Sequence, residues 1–76
     1  MDSIGEIVAD IFGLRASQVH DALTPEDVPA WDSLNHLRLV TAVEQELGMT
    51  LSMEEIQSID SVGRLRELIA QKSAAQ

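Results

Sequence analysis

The 76-residue sequence contains no cysteine. That excludes a disulfide framework and a thiolate-bound zinc, and any thiol chemistry performed on this chain needs a sulfur brought from outside. Aromatic residues are nearly as scarce, with one Phe, one Trp and no Tyr, so the core has to be packed from Leu, Ile and Val. Five basic residues stand against 13 acidic ones, for a net charge of −8. Such a field repels nucleic acid and anionic membranes and steers the chain toward basic protein surfaces, an effect that salt weakens. No apolar run exceeds a few residues, and Met1 leads into Asp2 and Ser3 rather than into a basic segment. Neither a membrane span nor a signal peptide is therefore expected, and the expected location is the cytoplasm. What remains is 45% hydrophobic and 24% charged, the balance of a globular domain. The length allows one domain over residues 1–76, which buries only about 60% of its unfolded surface and has no room for a deep enclosed active site.

Hydrophobic spacing supplies the architecture. Ile4, Ile7, Val8, Ile11 and Phe12 recur on one helical face, Ser3 and Glu6 have the form of a capping box, and Gly13 suits a left-handed cap, so a helix is predicted over 3–12. From Leu14 to Asp32 no period is sustained and Pro25 and Pro29 interrupt the chain, which predicts a long connecting loop. Leu14, Val19, Leu23, Val28 and Trp31 are expected to pin this loop down, and Thr24 before Pro25 permits one helical turn within it. A central helix starts at Ser33, carries Leu34, Leu37, Val40, Val43 and Leu47 with Leu39 widening the stripe, and ends near Gly48. Ser52 and Glu55 make a second capping-box pattern before Ile56 and Ile59, enough for a short helix. Asp60 or Ser61 can cap a last helix whose Val62, Leu65, Leu68 and Ile69 share a face, before a patternless, disordered tail at 73–76. No strand signal and no repeat is present. The predicted fold is all-α, a small four-helix bundle of three longer helices and one short one, with the first connection running the length of the bundle. Its expected state is a monomer. The capping pattern at the start and the fading tail fit a stand-alone protein.

Chemistry concentrates at Asp32-Ser33. The unpaired amides and positive dipole end of a helix start favour an anion, so a phosphoester on Ser33 would be stabilised there. An Asp-Ser-Leu tripeptide is also what a plain N-cap looks like, with Ser33 or Asp32 as the cap. On the capping reading, Ser33→Ala costs about 0.5 to 2 kcal/mol.

The context of that serine resembles the acyl carrier protein family over almost the whole chain, from about Ile4 to Ile69. The likeness rests on the first apolar helix, the long loop, the run Trp31-Asp32-Ser33-Leu34, and its continuation Leu37-Arg38-Leu39-Val40-Thr41-Ala42-Val43-Glu44-Gln45-Glu46-Leu47-Gly48. A short acidic helix at Glu54-Glu55-Ile56 and a final amphipathic helix complete it. The resemblance implies that Ser33 is the attachment point of 4'-phosphopantetheine, delivered from coenzyme A by a phosphopantetheinyl transferase that uses magnesium, with Asp32 assisting at that enzyme's metal site. The chain would then be a substrate and not an enzyme, holding acyl intermediates as thioesters for presentation to other proteins. The missing thiol agrees with this, because the cofactor brings one, and a tether raises the effective concentration of a bound intermediate.

In this family partners bind mainly on the central and third helices, which carries the recognition role to Leu34, Leu37, Arg38, Thr41, Glu44, Gln45, Glu54, Glu55 and Ile56. The implied partners are acyl-loading, condensing or modifying enzymes with basic docking surfaces. Arg38, Gln45 and Asn35 depart from the acidic pattern of fatty-acid carriers, which does not favour fatty acid synthase enzymes. The Trp31-Asp32-Ser33-Leu34 run looks more like carriers of polyketide or other specialised pathways. Arg38 paired with a nearby acid, worth about 0.3 to 0.5 kcal/mol, is the plainer account of that residue.

His20 and His36 have no spaced partner for a metal or nucleophile and read as solvated surface residues. Trp31 reads as a loop anchor. Glu54 and Glu55 lack the alternating oxygens and turn glycine of a calcium loop, and no metal site is expected. An acyl chain lying between helices, as the family allows, and an ordinary packed core are both compatible with these residues. Two other accounts use the same residues. One is an aminoacyl or peptidyl carrier, which the absence of a glycine-rich lead into the serine disfavours. The other is an unmodified acidic helical module in which Ser33 is only a cap.

Overall fold

A computed structural model describes residues 3–74. It is all-helical among these residues, with α1 at Ser3–Phe12, α2 at Ser33–Leu47, α3 at Met53–Ser58 and α4 at Val62–Ala74. The expected three long helices and one short one are present. The ends of α1 and α2 follow from glycine: Gly13 and Gly48 sit at φ 68° and 63°, and the amides of Leu14 and Met49 return to the carbonyls of Ala9 and Glu44 at 2.8 and 3.2 Å. This is the Schellman arrangement, which satisfies carbonyls the helix itself leaves open. Ser3 is already helical, so it is not the cap expected of it, and the residue before it lies outside the described ones. Ser52 and Glu55 cap reciprocally, with Ser52 N–H donating to Glu55 Oε1 at 2.8 Å and Glu55 N–H to Ser52 Oγ at 3.2 Å. Ser61, not Asp60, caps α4 by accepting from Arg64 N–H at 3.1 Å. The helix α4 continues through Ser73 and Ala74, where the apolar pattern fades and a tail was expected. Ala75 and Gln76 lie outside the described residues.

Val8 and Phe12 of α1, Leu39, Val40 and Val43 of α2, Leu51 and Ile59 flanking α3, and Val62, Leu65, Leu68 and Ile69 of α4 form one buried cluster. Leu23, Val28 and Trp31 of the long connection enter it, and Leu14 and Val19 pack on its edge, so the loop is anchored where its apolar residues predict. Its local structure differs from expectation. A 3-10 turn forms at Ala16–Gln18, closed by Arg15 N–H donating to the Gln18 side chain at 2.9 Å. Thr24 to Asp27 make a single hydrogen-bonded turn rather than a helix, with Thr24 N–H and Oγ1 both on Asp27 Oδ2 at 3.2 Å. The loop also serves α4, whose first amides, Val62 and Gly63, donate to the carbonyls of Leu23 and Asp21 at 3.0 and 2.9 Å. Glycine at position 63 eases this approach, because a Cβ there would lie 3.1 Å from the Asp21 carbonyl oxygen and push the two backbones apart by a few tenths of an ångström. No helix among the described residues is long and apolar enough to cross a membrane.

The stripe that α2 turns inward is Leu39, Val40 and Val43, with Leu47 half-buried at its end. Leu34 and Leu37, which the apolar spacing assigns to the same surface, are 60% and 52% exposed. The true stripe runs one position off theirs, and its first member is His36.

Candidate site at the start of the second helix

Asp32 precedes α2 in extended conformation, and its Oδ1 accepts from Asn35 N–H at 2.9 Å. Asp32 is therefore the N-cap and Ser33 is the first helical residue. The capping role open to either residue in the sequence falls to Asp32 because only its side chain reaches the amide three positions on. Asn35 turns back and donates from Nδ2 to the Ala30 carbonyl at 2.8 Å, and Asp32 N–H donates to that same carbonyl at 3.0 Å. The approach to the helix is thus closed by side chains on both sides of Ser33. Ser33 itself is exposed, and its hydroxyl makes no hydrogen bond among the described residues. The amides of Ser33 and Leu34 lie in the first turn, where the helix offers them no acceptor.

Beside Ser33 runs an open groove of about 540 Å³, bounded by Trp31, Asp32 and Ser33 on one side, His36 and Leu37 on α2, and Met53 and Ile56 on α3. Its walls are mostly apolar, and Met53 is 66% exposed at the rim. A second groove of about 350 Å³ lies between α1 and α2, where Ile11, Leu34, Leu37, Arg38, Thr41 and Gln45 meet. The sequence offered no reason to single out Met53, since it stands outside the periodic residues.

The remaining sequence-derived positions divide by exposure. Leu34, Leu37, Arg38, Thr41, Gln45 and Glu54 are exposed, whereas Glu44, Glu55 and Ile56 are half-buried. Glu44 is held internally, its Oε2 accepting from Leu51 N–H at 2.8 Å, which ties the α2–α3 connection to α2. Glu55 faces Lys72 of α4 at 3.0 Å. The Ser52 amide, then the Lys72 ammonium, holds the Glu55 carboxyl below its ordinary value. Arg38 has no ion pair among the described residues; its helical neighbours at three and four positions are Leu34, Asn35, Thr41 and Ala42, none of them acidic, so the local pairing expected for it does not form.

His36 is not the solvated residue the sequence indicated, whereas His20 is exposed. The His36 ring is half-buried, with Trp31 Nε1–H donating to its Nδ1 at 2.9 Å and its Nε2 lying 2.9 Å from the Ile56 carbonyl oxygen. Trp31, 5% exposed, stacks on Phe12 with centroids 5.0 Å apart, so the expected loop anchor is in place. Both ring nitrogens of His36 are engaged away from Ser33, and neither serves as a base toward its hydroxyl. The signal that could have placed His36 is positional: it lies three and four residues before Leu39 and Val40, on the buried face.

The model of the phosphopantetheine attachment site family matches residues 2–69. An acyl carrier protein of Saccharopolyspora erythraea is 30% identical over 67 residues, covering 88% of this chain and 70% of that protein. An acyl carrier protein of Solidesulfovibrio magneticus is 37% identical over 62 residues, covering 80% and 78%. Among solved structures, an acyl carrier protein from Mycobacterium tuberculosis superimposes with a TM-score of 0.80 at 25% identity, over 90% of each chain.

Proposed function

Because this chain belongs to the acyl carrier protein family, we propose that Ser33 is the residue that carries 4'-phosphopantetheine and that a phosphopantetheinyl transferase installs it. The observation that carries the reading is the Ser33 hydroxyl, exposed and without a hydrogen bond, at the first position of α2 beside an apolar groove. The residues present fit such a group. The free first-turn amides and the dipole of a 15-residue helix favour a phosphoester at that position, and the groove walls of Trp31, Leu37, Met53 and Ile56 suit an aliphatic arm. When attached, the arm supplies the thiol that the chain lacks and carries acyl groups as thioesters.

The chain's own residues position and present. Asp32 fixes the start of α2 through Oδ1 and leaves its second oxygen open, which supports a role for it at the transferase's metal. Leu34, Leu37, Arg38, Thr41, Gln45 and Glu54 offer exposed surface on either side of Ser33 to partner enzymes. Glu44, Glu55 and Ile56 support that surface from beneath, through the bonds that hold α3 and the preceding connection. The cargo we read as an acyl group of a polyketide or other specialised pathway. This is supported by α2 carrying no acid from Ser33 to Thr41, with Arg38 as its one charge there, which is poorly matched to a strongly basic docking surface.

The test is the intact mass of the chain before and after incubation with a broad-specificity phosphopantetheinyl transferase, magnesium and coenzyme A. A gain of one phosphopantetheine in the wild type and none in Ser33→Ala is expected. Equal gain in both would move the attachment to another residue, and no gain in folded wild type would refute the assignment.

A further inference from the structure

His36 sits at a junction that the carrier reading does not use. An indole N–H can only donate and a backbone carbonyl can only accept, so Trp31 and Ile56 together select the tautomer of His36 that has its proton on Nε2. In that form Nδ1 accepts from Trp31 at 2.9 Å and Nε2–H donates to Ile56 O at 2.9 Å. The indole in turn faces the imidazole at 6.2 Å and 21° and stacks on Phe12 of α1. One ring thus joins α1 and the long loop, through Trp31, to α2 and to α3.

The short helix needs such a tie. At six residues, with none of them buried, α3 is far below the length at which a helix holds itself in water. Its anchors are the buried Leu51 and Ile59 on either side of it, the half-buried Ile56, the Glu55–Lys72 ion pair and the His36 bond. Among the described residues the His36 bond is the polar anchor that reaches the wall of the groove beside Ser33, where Trp31, His36 and Ile56 all line it.

We propose that His36 is a positioning residue, a latch that holds Trp31 and α3 together as facing walls of the groove beside Ser33, so that its release frees α3 and opens the groove while α1, α2 and α4 stay packed. The use of that opening, to admit or release what the arm carries, rests on the assignment of the arm to Ser33; the latch itself does not.

The single tryptophan makes the latch measurable. Hydrogen exchange of the Ile56 and Ile59 amides and acrylamide quenching of Trp31 emission are read in the wild type, His36→Ala, His36→Asn and His36→Gln. Asn keeps an acceptor close to the place of Nδ1, and Gln keeps a donor close to the place of Nε2. In His36→Ala, α3 amides should exchange about 2- to 12-fold faster relative to those of α1 and α4, the ratio for one lost hydrogen bond, and quenching should rise. His36→Asn should restore the shielding of Trp31 without restoring α3, and His36→Gln the reverse. Unchanged α3 exchange in a folded His36→Ala overturns the latch. So does an equal acceleration in every helix, which marks a merely structural residue. If His36→Ala does not fold, the contrast between Asn and Gln decides, and identical profiles for the two overturn it. Loading of wild-type Ser33, followed by mass in the same samples, separates failure of the latch from failure of the carrier assignment.

Discussion

Substituting the two adjacent residues Asp32 and Ser33 separates folding from function at one helix end. Asp32→Ala removes the carboxylate that accepts from Asn35 N–H at 2.9 Å, and loss of an N-cap costs about 0.5 to 2 kcal/mol. Ser33→Ala removes a hydroxyl that bonds to nothing among the described residues, at a helical position where alanine is a good former, so its effect stays within about 0.5 kcal/mol. For 76 residues, an unfolding entropy near 2.1 cal/mol/K per residue gives about 160 cal/mol/K, so 1 kcal/mol moves Tm by about 6 °C. Asp32→Ala should therefore melt about 3 to 12 °C lower, and Ser33→Ala within about 3 °C of the wild type. Loading should run the other way: none in Ser33→Ala, and slowed but measurable in Asp32→Ala. Circular dichroism melts paired with intact mass after transferase treatment read both. If Ser33→Ala loses as much stability as Asp32→Ala, the hydroxyl is the cap and the division of roles between the two residues is wrong.

Three further outcomes follow from the packing and the charges. Leu65→Ala, at a fully buried site, should cost about 2 to 5 kcal/mol, a large part of the roughly 4 to 11 kcal/mol available to a chain this long; Leu34→Ala, on the exposed face, should cost under about 0.5 kcal/mol in the same denaturant titration. The Glu55 carboxyl is held below its ordinary value of 4.5, so its contribution is complete above that pH and is lost as pH falls through the lowered value. The gap in denaturant midpoint between wild type and Glu55→Gln should accordingly be constant at neutral pH and close on acidification below 4.5, and a gap that persists in acid would show that the charge on Glu55 is not what stabilises α3. Arg38→Glu should leave Tm unchanged and speed loading by a basic-faced transferase about two- to tenfold at low salt, with the difference vanishing as ionic strength rises.

Local signals carried most of the fold. The bounds of α1 and α2 could be read because Gly13 and Gly48 end two apolar-periodic runs, and the Ser52–Glu55 box could be read because both partners lie within one turn. The 3-10 turn at Ala16–Gln18 escaped notice because a backbone amide and a glutamine side chain close it, and neither leaves a compositional mark. Leu34 and Leu37 fit the same helical spacing as the core residues. Which of two overlapping stripes faces inward is decided by the neighbouring helices, not by α2 alone. At the site, Ser33 and Asp32 stood out through a short motif. The pairs Trp31–His36, His36–Ile56 and Glu55–Lys72 bring together residues 5, 20 and 17 positions apart, and the last two are fixed only once α3 and α4 have docked.

The hydrogen bonds around Ser33 explain how one residue can be exposed and still be held in place. Asp32 fixes the amide of Asn35, Asn35 fixes the carbonyl of Ala30, Trp31 is fixed by His36, and His36 by Ile56. Each polar side chain within three residues of Ser33 is spent on the backbone or on a neighbour, and the serine hydroxyl alone is left out. The proposed esterification of Ser33 suits this arrangement, because a hydroxyl used to hold the fold would cost a hydrogen bond when modified, whereas one on a mobile loop would have no fixed relation to the surrounding surface. Replacing the Ser33 hydroxyl by a phosphoester should therefore leave the amide chemical shifts of α1 and α4 unchanged and alter those of Ser33 and Leu34, whose amides are free to receive it. Widespread shifts reaching α1 and α4 would mean that the serine is part of the scaffold after all.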